Sequence, residues 1–373
     1  MAGDATGVAL VHEWLASRAG SEKTFERMTH VLPDADVFAL TADPAAGFEI
    51  EAPIRTTLLQ RVPVLRAKRN LSLPVMPLAW RCLRTKPYAT VITSTHAYAR
   101  YLPAARAAAH LSYVYTPLRY AWLPEVDGRG ATPLMAPARA VLRVLDKRTV
   151  RHVDRFASIS NVVRERVEEF YGRESDVVFP PVDTDFFAAA PADDSGGREP
   201  FVLGVSRWIH YKRLDLVIEA ASRVGLPVVI AGHGPGEAEL RAVADRARVP
   251  VTFEHRPSDE RLRDLYRAAA VLVFPAEEDF GIVPVEAQAA GTPVVALARG
   301  GSLDTVADGV SGALVHEQTA EAFAAGIERV LGIDPSPDAL RRHVERFSVD
   351  AFHRGFTDWV KDWIPDGHLH SVC

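Results

Sequence analysis

Six short runs of apolar and β-branched residues recur through the second half of the chain, each followed by a segment of helical period or a turn-rich loop. That alternation admits few folds, because strands spaced by helices can pair only in parallel with the helices on both faces. The runs are Phe201–Ser206, Pro227–Ala231, Val251–Glu254, Val271–Phe274, Pro293–Leu297 and Ala313–Val315. Helices are expected near Leu214–Val224, Glu237–Arg248, Asp259–Ala269, Pro284–Ala290 and Ala320–Leu331, with Gly225 and Gly291 as C-caps and Pro284 as a first helical residue.

The first half repeats the theme less regularly. Strands are expected at Val8–His12, Asp36–Leu40, Thr90–Thr95, Ser112–Thr116 and Arg155–Ser160, and helices at Glu22–Leu32, Pro137–Val153 and Val162–Tyr171. Between Ile54 and Tyr88 prolines at 63, 74, 77 and 87 break the pattern, as in a binding loop. A chain of 373 residues exceeds one core. The expected fold is α/β, with two doubly wound Rossmann-like domains facing across a cleft: residues 1–180, a linker at 181–199 rich in Ala, Pro, Asp and Gly, and residues 200–345. Residues 346–373 are expected to form a helix crossing back to the first domain, plus a tail.

Charge separates the halves further. The net charge of −5 hides a stretch from Ala52 to Pro124 with eleven Lys and Arg and no Asp or Glu. Basic residues not interleaved with a recognisable module give no reason to expect nucleic acid. Two cysteines far apart, Cys82 and Cys373, offer neither a disulfide framework nor a metal site, and suit a cytoplasmic protein. The start, MAGDATGVALVHEW, lacks a basic region followed by an apolar run, and no stretch is long enough to span a bilayer. Any membrane contact is expected to be peripheral.

Chemistry concentrates at strand ends. Glu277 to Glu286 follows the strand ending at Phe274 and opens a helix, so Glu278 and Glu286 flank a loop containing Gly281. Carboxylates suit hydroxyls there, and free N–H groups suit an anion; a solvated Glu278 and a Glu286 that only complements the helix dipole would look the same. Arg207 and Lys212 follow the first strand of the second half, where two cations can clamp a diphosphate. Glycine loops at Gly20, at Gly232, Gly234 and Gly236, and at Gly300-Gly301 end other strands, each weak as a nucleotide signal by itself.

Together these residues resemble the donor site of retaining nucleotide-sugar glycosyltransferases of the GT-B fold, family 4. His12-Glu13-Trp14, Gly20, Glu22-Lys23, Tyr115 to Trp122 and Phe179 to Asp183 extend the resemblance along nearly the whole chain. The segment Tyr115 to Trp122 is similar to a bacterial subgroup enriched in mannosyltransferases. The resemblance implies that Arg207 and Lys212 hold the diphosphate, Glu286 the ribose and Glu278 the donor sugar. Phe280, Gly281 and Ile282 would line that sugar with backbone groups, Gly20 and Gly234 would approach the nucleotide, and Arg256 would lie near the base. His96 would sit by the sugar's C6 side, so the catalytic set is Arg207, Lys212, Glu278 and His96. His12, Tyr115, Arg119 and Tyr120 would meet the acceptor. Here Glu278-Asp279-Phe280-Gly281 replaces the Glu-Gly-Phe-Gly of many relatives, and Ala19 precedes Gly20 in place of a second glycine.

The implied reaction moves a hexose, mannose from GDP-mannose, to a lipid-linked glycan or glycolipid, with no cofactor beyond the substrate and no metal. Sugar-nucleotide epimerases or hydrolases of the same fold, and a non-catalytic binding subunit, are the competing readings. Within residues 55–86, Arg61, Arg66, Lys68 and Arg69 precede an apolar segment holding Trp80, and Arg81, Arg84 and Lys86 follow it. Such a pattern suits an anionic membrane surface, such as the inner face of the cell membrane, or equally a solvated basic face.

Overall fold

The computed structural model describes residues 7–67, 72–102, 109–124, 136–189 and 199–370. Lys68, Arg69, Cys373 and residues 190–198 of the expected linker lie outside the described residues. The chain divides into two units, Met1–Pro181 with Asp350–Cys373, and Val182–Val349.

The first unit is built on seven parallel strands: β1 Val8–Leu15, β2 Asp36–Ala42, β3 Ile54–Thr56, β4 Thr90–Thr95, β5 Ala109–Val114, β6 Arg155–Ser158 and β7 Asp176–Val177. Their order is β3-β2-β1-β4-β5-β6-β7, so the winding reverses between β1 and β4. All eight residues of β1 are buried, as expected of a central strand covered on both faces. In register, His12 lies beside Ala39 of β2 and Ser94 of β4. Val11, Phe38, Leu40 and Val91 meet Met76, Trp80 and Tyr88 in one core cluster.

The helix Val349–Val360 supplies residues from Asp350 onward to this unit. Its Phe352 and Trp359 meet Tyr113 edge-on, each with ring centroids 6.3 Å apart, and the Trp359 carbonyl accepts from Arg155 Nη1 at 3.0 Å. Burying each such aromatic contributes about 1.5–3 kcal/mol, enough to hold a single helix in place.

The second unit carries six parallel strands: β8 Glu199–Arg207, β9 Val228–His233, β10 Val251–His255, β11 Ala269–Phe274, β12 Val294–Leu297 and β13 Gly312–Val315. Their order is β10-β9-β8-β11-β12-β13, which places the reversal between β8 and β11. Val202, Val217, Ile230, Val271, Val295, Phe323 and Ile327 form its core.

Several local expectations are corrected. The proline-broken region holds the edge strand β3, paired with β2, and short helices at Pro63–Ala67 and Met76–Arg81. A helix at Pro337–Val344, N-capped by Ser336, and the two-residue strand β7 were not anticipated. Part of the expected linker is a helix, Thr184–Ala188, whose Phe186 amide is capped by Asp183. Helix Ile282–Ala289 begins two residues before Pro284.

Candidate functional site

In the second unit, Arg207 ends β8 and Lys212 lies in the following turn, His210–Lys212. The loop after β11 carries Glu278 and leads through Gly281, at φ 91°, into the helix Ile282–Ala289. Both loops therefore leave the C-terminal edge of the sheet at the winding reversal, where open α/β sheets bind ligands. The N-cap residue, Gly281, has no side chain with which to cap that helix; Phe280 and Gly281 are buried and Ile282 is half-buried.

Lys212 and Glu278 are joined: the ammonium donates to Glu278 Oε1, with the lysine side chain only 10% exposed and the carboxylate 18%. Arg207 is exposed and donates to the Tyr211 hydroxyl at 3.2 Å, while Lys212 Nζ stands 5.2 Å over the Tyr211 ring. Tyr211, which the sequence did not single out, thus touches both cations. Glu286 is half-buried and accepts from the Tyr266 hydroxyl at 2.9 Å. Tyr266 is wholly buried, and burial together with that carboxylate pushes its hydroxyl well above the usual tyrosine range, so it stays a donor.

The glycine loops have reasons inside the protein. A Cβ at Gly234 would stand 2.4 Å from the Trp208 carbonyl oxygen, and one at Gly232 1.9 Å from that of Ser206. The Trp208 amide donates to the His233 carbonyl at 2.8 Å, so this loop is folded over the backbone of a buried tryptophan. A Cβ at Gly301 would lie 2.2 Å from the Phe280 carbonyl, and the Gly301 amide donates to the Glu278 carbonyl at 2.8 Å. Gly300-Gly301 therefore shapes the Glu278 loop by close backbone contact. Arg256, exposed at φ 51°, follows the outer strand β10, two strands from β8 and so roughly 10 Å away along the edge.

In the first unit, the expected site residues gather where β1 and β4 end, again at the winding reversal. His12 is fully buried, its ring stacked on Phe25 at 5.0 Å and its Nδ1 3.0 Å from the Ser94 carbonyl oxygen. Burial pushes His12 down against the opposing pull of Glu13 and Glu22, which favours a neutral ring. Tyr115 is buried as well; its hydroxyl donates to the Ser21 carbonyl at 2.8 Å and lies 2.8 Å from Ser94 Oγ. Both residues expected to meet an acceptor are therefore buried: Tyr115 ties Ser21, beside Gly20, to the end of β4, and His12 holds Ser94 and packs on Phe25 of the helix that Gly20 opens. His96, unlike His12, reaches the surface, its side chain 28% exposed. Arg119 and Tyr120 are half-buried on the short helix Arg119–Trp122, Tyr120 packing on the core.

In the sequence Glu13 stands out only as part of a motif, and its environment is the least expected. It is fully buried and accepts from the Thr95 hydroxyl and from the amides of Ala97 and Ala99, each at 3.0 Å, and of His96 at 3.3 Å. A charged residue inside the apolar run Val8–Leu15 was the signal available.

Two Asp-x-Asp pairs occur, and neither is at these edges. Asp183 caps its own helix beside Asp185, while Asp36, two residues after Asp34, holds Lys86 and Tyr88. Among the described residues no three His, Cys, Asp or Glu side chains gather as metal ligands.

Residues 187–362 match the family model of glycosyl transferases group 1. The match covers most of the second unit, with both strand-end loops described above. The D-inositol 3-phosphate glycosyltransferase of Mycolicibacterium smegmatis is 35% identical over 254 residues, 61% of this chain and 58% of that protein. Its counterpart in Mycolicibacterium gilvum is 37% identical over 53% of this chain and 50% of its own length. The chain thus spans about half the length of the curated relatives it matches. Among solved structures, sucrose-phosphate synthase from Thermosynechococcus elongatus superposes with a TM-score of 0.71 at 21% identity, covering 96% of this chain and 98% of that one. Anabaena HepE, solved with UDP and glucose, gives 0.67 at 17% identity over 95% and 99%. The fold is GT-B, with two Rossmann-like units.

Proposed function

We propose that this chain is a retaining glycosyltransferase that takes a hexose from a nucleoside diphosphate sugar and passes it to a lipid-linked glycan or glycolipid. The observation that carries this reading is the Lys212–Glu278 contact at the winding reversal of the second sheet, with Arg207 on the same edge. Two cations there neutralise the diphosphate as it leaves, and charge stabilisation of that kind commonly lowers the barrier of such a transfer more than any other single effect. Glu286 accepts from the ribose hydroxyls and Glu278 from the sugar. The acceptor hydroxyl attacks the anomeric carbon from the face the diphosphate leaves, and the departing phosphate oxygen takes its proton. Neither a metal nor a further cofactor enters this scheme.

For the donor we propose GDP-mannose, on the likeness of Tyr115 to Trp122 to the mannosyltransferase subgroup. HepE has been solved with UDP-glucose, which makes uridine the alternative base. The test is transfer by the full chain from GDP-mannose, UDP-glucose and UDP-N-acetylglucosamine to a bacterial lipid extract and to inositol phosphate. Mannose transfer to lipid supports the reading. Turnover only with a uridine donor replaces the donor, and transfer only to inositol phosphate replaces the acceptor.

The acceptor side rests on the acid-free stretch. The segments Leu58–Arg61, Pro63–Ala67 and Met76–Arg81 bury Leu59, Met76 and Trp80 and expose Leu58, Val64 and Leu78, each at 60% or more. Arg61, Arg66, Arg81 and Arg84 are exposed around them and make no ion pair with another described residue. Cations beside outward-facing aliphatics suit the inner, anionic face of a membrane. No helix among the described residues is long and apolar enough to cross one.

A further inference from the structure

We infer that Glu13 is a positioning residue: its buried carboxylate holds the turn after β4 and fixes His96 with Nδ1–H toward Glu13, leaving Nε2 as the ring's free acceptor. This rests on the reading of His96 as part of the transfer site.

The carboxylate divides its work between its two oxygens. Oε1 collects the Thr95 hydroxyl and the Ala97 and Ala99 amides, and Oε2 takes the His96 amide and faces His96 Nδ1 at 3.7 Å. Four donors drawn to one side chain pin residues 95–99, the turn on which His96 stands. Burial alone would push the Glu13 carboxyl up, yet His96 and His12 when they carry a proton, together with the Thr95 hydroxyl and the Ala99 amide, hold it below the ordinary carboxylate value, so it is an anion at pH 8. An anion opposite Nδ1 favours the tautomer that carries its proton there, as carboxylates behind histidines do elsewhere.

No other charged side chain competes for Nδ1 among the described contacts. The other groups around the ring are His12 of β1, with centroids 6.0 Å away and neutral, and Tyr115 beyond β5, 6.1 Å away and protonated, with the Trp14 ring at 5.1 Å. Holding the three donors of Oε1 needs only an oxygen of the same shape; fixing the tautomer requires an acceptor opposite Nδ1. In Glu13→Gln the side-chain oxygen keeps the three donors of Oε1, while the NH2 in place of Oε2 gives up the His96 amide and donates to Nδ1, which moves the ring proton to Nε2.

The experiment is nitrogen-15 NMR of the full chain with labelled histidine, His96 being assigned by its loss in His96→Gln. In the wild-type chain at pH 8 the expected signal is a ring protonated at Nδ1, and in Glu13→Gln one protonated at Nε2. A wild-type ring protonated at Nε2 overturns the inference and needs no variant to fold. The same tautomer in both proteins also overturns it. Turnover is read separately: kcat is expected to fall 10-fold or more in Glu13→Gln with donor KM within twofold. A tautomer that switches while kcat stays unchanged leaves Glu13 in its role and removes His96 from the reaction.

Discussion

The Lys212 ammonium donates to the Glu278 carboxylate across the gap between the loops that follow β8 and β11. A donor's diphosphate and sugar would each engage one member of that pair, so the contact holds both groups in place before substrate arrives. Glu278→Gln keeps the shape and removes the charge. Turnover is expected to drop about 10²-fold, the scale of losing one transition-state contact. Calorimetry should find nucleoside diphosphate affinity unchanged or slightly improved, because Lys212 is released. A fall in affinity that matches the fall in turnover would move Glu278 to the phosphate.

Gly301 faces the backbone of Phe280 too closely for any side chain. Gly301→Ala is expected to lose roughly 1–3 kcal/mol, on the order of 2–12 °C in melting temperature, and to displace the Glu278 loop. Activity should fall more than stability accounts for. Gly332→Ala is the control, since that helical glycine has nothing within 4 Å and no left-handed backbone; a gain of about 0.5–1 kcal/mol is expected by thermal melting.

Acid should weaken the first unit in a defined window. His110 is fully buried, and burial with Arg100 nearby pushes its ring down to about 3 from the ordinary 6.5. A folded-state value below the unfolded one means that its contribution is complete above pH 6.5 and is lost as pH falls toward 3. Glu13, also held down, adds a loss below about 4.5. Melting temperature against pH should therefore fall less steeply between 6.5 and 4.5 in His110→Gln than in the wild type, and equal slopes would exclude His110 as a source.

Much of this site was legible because parallel strands buried on both faces read as unbroken apolar runs whose ends are sharp. Val271–Phe274 and Phe201–Ser206 located the loops of Glu278 and Lys212 for that reason. Tertiary contacts were not legible. Nothing local distinguishes a glycine facing phosphate from Gly234, which packs on Trp208, and a histidine inside β1 looks in sequence like one at its rim. The edge strand β3 was hidden by its length of three residues and by the prolines that follow. Glu13 was hidden by distance, since its donors lie at residues 95–99.

The basic face makes a quantitative prediction. Each cation near an anionic leaflet contributes about 1 kcal/mol, so replacing Arg61, Arg66, Arg81 and Arg84 with Gln should weaken binding to phosphatidylglycerol vesicles by at least ~100-fold. Cosedimentation at low and high salt checks it. Binding that is absent in the wild type, or insensitive to salt, would leave this face to the acceptor alone.

The most direct measurement is calorimetric titration of GDP and UDP into the wild-type chain and into Arg207→Ala/Lys212→Met. Charge-assisted contacts of about 1.5–3 kcal/mol each predict binding of one diphosphate to the wild type that weakens by at least ~100-fold in the double variant. Equal affinity in both proteins, or no binding of either nucleotide to the wild type, would contradict a nucleotide-sugar site at this edge.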